Sequence, residues 1–245
     1  MPNISNIELK QILPHPEDVI NKILGTSHKL DQNFILRLNL EEDVNRKVIK
    51  AIKFMKLPEL QTIFIWMSES DMEDVQDFIK HSFPHKLTNF GLVAYFNGEY
   101  QKIGNVYDLI GPVLDRVSNE ISIECVDADS EQINQIVKNS RHCNRLWLWN
   151  IKMDLNTPLD FSTDLQYNIK FLCLGRCGQS NKSDWANNRG DLRKIIKAIS
   201  QSKLKDSLEE INIYKCGVTI SEVEQMLTDE GISNIKITDN RIVPC

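Results

Sequence analysis

Apolar side chains recur along this chain in one short arrangement. Leu208, Ile211, Ile213 and Cys216 hold the first, fourth, sixth and ninth places of a nine-residue stretch, and Ile232, Ile235, Ile237 and Asn240 hold the same places in another. Sliding the arrangement upstream finds six more copies: Ile169, Leu172, Leu174, Cys177; Cys143, Leu146, Leu148, Ile151; Ser118, Ile121, Ile123, Val126; Leu87, Phe90, Leu92, Tyr95; Leu60, Ile63, Ile65, Ser68; and Ile35, Leu38, Leu40, Asp43. The two central places are apolar in all 16 instances in a chain that is 41% hydrophobic, which argues against chance. Copies begin 25, 27, 31, 25, 26, 39 and 24 residues apart, so the interval of 39 carries an insertion.

In a short strand successive side chains face opposite ways, so the central pair points to one side and its neighbours to the other. Each interval leaves room for a crossover, which makes consecutive strands parallel. The crossovers carry helix signals. Ser221 and Glu224 have capping-box spacing ahead of Val223 and Leu227, with Gly231 where a C-terminal cap belongs. Ser70 and Glu73 have the same spacing before Val75, Phe78 and Ile79, and Asp129 or Ser130 is placed to cap a segment holding Ile133, Ile136 and Val137. Asp43 precedes Val44, Val48, Ile52 and Met55 at helical spacing, whereas Gly111-Pro112 should kink or end the helix after the third copy. Residues 154–167, with Pro158, read as irregular. The polar insertion 178–190, with Trp185 among hydrophilic neighbours, reads as an exposed loop. Residues 1–33 lack the arrangement; Pro16, Glu17 and Asp18 ahead of Val19, Ile23 and Leu24 read as a helix start. The chain therefore divides into an N-terminal helical cap, 1–33, and one repeat domain, 34–245.

The spacing LxxLxLxxC, or LxxLxLxxN, resembles the leucine-rich repeat, and the period is similar to that of the cytosolic, ribonuclease-inhibitor-like type. The resemblance implies an α/β fold: a right-handed solenoid, or horseshoe, with a concave parallel sheet of about eight strands and helices on the convex side. It implies that Cys177 and Cys216 lie buried in strand-to-helix turns, and that the chain works by holding a protein partner.

Residues flanking the central pair should line the concave face. Phe64, Trp66, Trp147, Trp149, Phe171 and Tyr214 all fall there, including three of the chain's four tryptophans. Burying a large ring yields about 1.5–3 kcal/mol, so an open patch of rings reads as a partner-binding surface. Packing of the rings on one another, or covering by the termini or the insertion, is the competing expectation.

Charge and candidate chemistry narrow the function. A net charge of −5 without a long basic run speaks against nucleic acid. The N-terminus lacks a signal-peptide pattern, and no 18 apolar residues run together, which points to a cytoplasmic protein away from the membrane. Six cysteines without paired clusters fit reduced thiols. No nucleotide-binding, hydrolase or metalloprotease motif occurs, so no enzyme activity, cofactor or small-molecule substrate is expected. Three metal candidates have blander readings: Cys173 and Cys177 as structural thiols, His81 and His85 as helix-end groups, and Asp154, Asp160 and Asp164 as a solvated loop. Leu13-Pro14 with Glu17, Val19, Ile23 and Leu24 is similar to the opening of an F-box. That keeps a substrate receptor, or an accessory subunit of a ubiquitin ligase or other enzyme complex, as the alternative to a scaffold or a structural subunit.

Overall fold

The computed structural model describes residues 6–8, 34–52, 60–96, 99–100, 106–124, 126–175 and 185–240. The strands are β1 (Asn6–Glu8), β2 (Phe34–Asn39), β3 (Leu60–Met67), β4 (Leu87–Phe96), β5 (Glu99–Tyr100), β6 (Val117–Glu124), β7 (Asp127–Asp129), β8 (Arg145–Trp149), β9 (Lys152–Asp154), β10 (Phe171–Cys173), β11 (Glu210–Asn212) and β12 (Lys236–Thr238). Nine of them, β1, β2, β3, β4, β6, β8, β10, β11 and β12, lie side by side in chain order. Every pair along that path is parallel. The fold is α/β. The ninth strand, β1, comes from the segment expected to be a helical cap, while residues 9–33 of that expected cap lie outside the described residues.

Strand register groups the side chains into rows. Leu36, Ile63, Phe90, Ile121, Leu146, Leu172, Ile211 and Ile237 form one row, and Leu38, Ile65, Leu92, Ile123 and Leu148 the next. All are buried in one continuous core. Register partners in the first row lie 27, 27, 31, 25, 26, 39 and 26 residues apart. The outermost copies are therefore corrected by two residues each. The first pairs Leu36 and Leu38, rather than Leu38 and Leu40, with Ile63 and Ile65; in the last, Ile237 rather than Ile235 aligns with Ile211. Both shifts are even, so no side chain changes face, and the period becomes more regular.

The helices are α1 (Asp43–Ile52), α2 (Met72–Ser82), α3 (Val106–Leu114), α4 (Ser130–Asn139), α5 (Trp185–Ser200), α6 (Leu204–Ser207) and α7 (Ile220–Asp229). Apolar residues of α1 to α5 and α7, among them Val48, Phe78, Ile110, Ile133, Ile195 and Val223, close the core against the sheet. Helix starts differ in detail from the expected ones. Asp129 caps α4 with Gln132, but α7 is boxed by Thr219 and Glu222 instead of Ser221 and Glu224. Before α2, Asp71 accepts bonds from the Ser68 amide at 3.0 Å and hydroxyl at 2.7 Å, in place of the Ser70–Glu73 pair. Gly231 ends α7 with φ 74°, as its position led one to expect.

Helix α3 runs through Pro112 to Leu114, so the proline does not end it there. Pro112 is exposed, so its ring displaces nothing from the core, and its missing N–H costs the helix only the bond to the Asp108 carbonyl. Residues 155–170 are irregular, as expected. They are held by Asp160 N–H donating to Asn134 Oδ1 (2.8 Å) and Ser130 Oγ donating to the Thr157 carbonyl (2.9 Å). Strands β7 and β9 form a separate parallel pair beside them. Residues 185–190 of the expected exposed loop belong to helix α5; the remainder of that loop, and Cys177, lie outside the described residues.

Candidate binding surface

The face of the sheet opposite the core is built from the alternate residues. Three rows cross it. The first is Thr62, Asn89, Glu120, Arg145, Phe171, Glu210, Lys236; the second Arg37, Phe64, Gly91, Ser122, Trp147, Cys173, Asn212, Thr238; the third Asn39, Trp66, Val93, Glu124, Trp149. All the nominated strand aromatics lie in these rows, and Tyr214 follows β11.

The expectation of an open aromatic patch needs correction. Trp147 is 0%, Phe64 6% and Phe171 8% exposed, while Trp66, Trp149 and Tyr214 are half-buried. The reason is lateral packing. Trp147 and Phe171 meet at 4.9 Å between ring centroids and form, with Cys173, a second apolar cluster against which Trp149 packs. The Arg145 guanidinium caps them, 4.7 Å from the Phe171 centroid and 5.3 Å from that of Trp147. Its Nε lies 3.4 Å from Glu120 Oε2, a contact of charges rather than a hydrogen bond. The Trp147 indole N–H is buried without an acceptor among the described residues.

Two glycines let rings lie flat across the neighbouring strand. A Cβ on Gly91 would sit 2.1 Å from Phe64 Cδ1, and one on Gly175 would sit 2.3 Å from Trp149 Cε3. Having crossed Gly175, the Trp149 ring reaches Tyr214, two strands away, with centroids 5.6 Å apart and planes at 21°. Phe64 and Trp66 contact at 6.3 Å, with Arg37 5.6 Å above the Phe64 ring. The nominated residues thus form two groups, Phe64 with Trp66 and Trp147 with Trp149, Phe171 and Tyr214.

Polar ladders fill the remainder. Asn119 Nδ2 donates to Asn89 Oδ1 (2.8 Å) and Asn89 Nδ2 to Thr62 Oγ1 (3.0 Å), while Asn212 Nδ2 donates to Thr238 Oγ1 (3.2 Å) and Lys236 pairs with Glu210 (3.7 Å). A shallow hollow over the starts of β8, β10, β11 and β12 is lined by Arg145, Phe171, Glu210 and Lys236 among others. Burial pushes the Cys173 thiol up to about 12 and the Cys143 thiol likewise to about 12. Desolvation holds the Glu124 carboxyl above the ordinary carboxylate value, against a lowering hydrogen bond from Ser122, and Glu120 adds to the rise. Among the described residues no three His, Cys, Asp or Glu side chains are grouped to hold a metal, and no helix is long and apolar enough to cross a membrane. Asp160 instead pairs with Lys138 at 3.1 Å, and Cys216 donates to the Leu174 carbonyl.

Arg145 and Glu124 were not among the nominated residues. Their signal was present: both occupy outward places in adjacent copies, and aligning those copies sets Glu120 opposite Arg145 and Glu124 opposite Trp149. No family model, curated protein or solved structure matches this chain.

Proposed function

We propose that the chain is a leucine-rich-repeat solenoid of the ribonuclease-inhibitor-like kind, acting in the cytoplasm as a non-catalytic protein-binding or scaffold module. Two features support the architecture: nine parallel strands in chain order, and a spacing that stays between 25 and 31 residues except for one interval of 39 that carries an insertion. A helix crossover on one side and a short strand on the other curve such a stack, making the helix-free face concave.

The observation that carries the binding role is the aromatic strip on that face, whose outer rings Trp66, Trp149 and Tyr214 remain partly open to water. Packing within the strip buries Phe64, Trp147 and Phe171, which hold the surface in shape. The half-open rings are what a partner would cover, and large rings in such places carry much of the affinity of protein interfaces. No chemistry is assigned to the face, and no cofactor, nucleic acid, membrane or small molecule is invoked. Residues 13–24, on which an adaptor-docking role would rest, lie outside the described residues.

The test is affinity purification from native extract with the wild type beside a Trp149→Ala/Tyr214→Ala variant whose circular dichroism matches it. A protein held by the wild type and lost from the variant supports the reading; an identical set of captured proteins refutes it. Trp147 is unsuitable for this purpose, because truncating a fully buried ring removes about 3–5 kcal/mol of stability.

A further inference from the structure

The third row of the open face sets one carboxylate among tryptophans. Its order is Trp66, Val93, Glu124, Trp149, with register partners on adjacent strands. At about 4.8 Å per strand, Glu124 stands roughly one step from Trp149 and roughly two from Trp66. Ser122 Oγ donates to Glu124 Oε1 at 3.0 Å. No lysine, arginine or histidine among the described residues forms an ion pair with Glu124, although other charges of this face are matched, Arg145 with Glu120 and Lys236 with Glu210. The burial that lifts the Glu124 pKa makes the missing cation more conspicuous, since a half-desolvated carboxylate gains more from a neighbouring positive charge than one in open water.

The same strand shows which cation suits such a place. Four residues earlier on β6, Glu120 is matched by Arg145, whose guanidinium lies over the Trp147 and Phe171 rings. In the third row the register partner of Glu124 is Trp149, whose ring extends over Gly175 toward Tyr214, so a carboxylate and a ring are present with no guanidinium bridging them. A planar guanidinium can meet a carboxylate edge-on while stacking on an indole; a lysine ammonium offers only a point charge. We infer that the place between Glu124 and Trp149 receives an arginine side chain from an extended segment of a protein partner. The inference rests on the open face being a protein-binding surface, and it adds the chemical class of the segment bound.

The experiment is selection of a displayed library of short random peptides on the full chain. Recovered peptides are then assayed on the wild type, on Glu124→Gln and on Trp149→Ala/Tyr214→Ala, each checked by circular dichroism. The expected result is a pool enriched in arginine, with affinity at least tenfold weaker on Glu124→Gln and replacement of the arginine by citrulline giving a comparable loss. Peptides without a required arginine, or peptides bound equally well by Glu124→Gln, would overturn this inference. If those same peptides were lost on Trp149→Ala/Tyr214→Ala, the binding role of the face would survive. Failure to recover any peptide that distinguishes the wild type from either variant would remove both.

Discussion

Replacing Gly91 with alanine separates the packing described above from an ordinary strand glycine. Gly91 does not have a positive φ, so alanine meets no backbone penalty, and by itself the change should stabilise by about 0.4–1 kcal/mol through the unfolded chain. The new methyl group, however, would lie 2.1 Å from Phe64 Cδ1 and 2.5 Å from Cε1, in the body of a ring that is 6% exposed. Phe64 must lift off the sheet, giving up much of the roughly 1.5–3 kcal/mol that its burial contributes. It would also disturb the contacts with Trp66 at 6.3 Å and Arg37 at 5.6 Å. The balance is a net loss of about 1.5 kcal/mol, or a Tm lower by about 4 °C for a chain of this size. Urea denaturation followed by circular dichroism should be run on Gly91→Ala, Phe64→Ala and the double variant. With the ring removed, Gly91→Ala should become neutral or stabilising, a coupling of about 2 kcal/mol. A stabilised Gly91→Ala single variant, or an equal loss in both backgrounds, would refute the account of the ring lying on the glycine.

Other outcomes follow from the caps, the buried thiols and the desolvated carboxylate. Thr219→Ala should lower stability by about 1 kcal/mol in thermal unfolding, whereas Ser221→Ala should change it little, because Thr219 rather than Ser221 accepts the Glu222 amide at 3.2 Å. Cys143 and Cys173, both with pKa about 12 and fully buried, should resist iodoacetamide at pH 8 in the native protein and react once urea unfolds it, as site-resolved mass spectrometry would show. Because the Glu124 pKa is raised on folding, the native state binds a proton that the unfolded state does not bind in the interval above the ordinary value of 4.5. Stability relative to Glu124→Gln should therefore rise as pH falls through the native pKa and level off near 4.5; a pH-independent difference between the two proteins would contradict the desolvation argument.

Much of this architecture was written in the alternation of apolar residues. Leu146 and Leu148 enter the core while Trp147 and Trp149 lie on the other face, and that parity holds for every copy. Register was harder at the two ends. Leu36, Leu38 and Leu40 alternate without a break, as do Ile235 and Ile237, and a two-residue slip leaves every side chain on the same face, so periodicity alone cannot choose between the frames. The caps slipped by two residues for a related reason: Ser68 and Ser70, like Thr219 and Ser221, each have an acidic residue three places on, and the point where the strand leaves the sheet selects one.

Which side of the strand a tryptophan occupies follows from a local rule, because consecutive side chains in an extended chain must diverge. Whether its ring is wet depends on side chains far away in sequence. Phe171 and Arg145 close over Trp147, Gly175 makes room for Trp149, and Tyr214 reaches that ring across the longest interval in the chain. Lateral packing of this kind arises only when the strands are laid side by side, which is why the sheet was legible in one dimension and the burial of its open face was not.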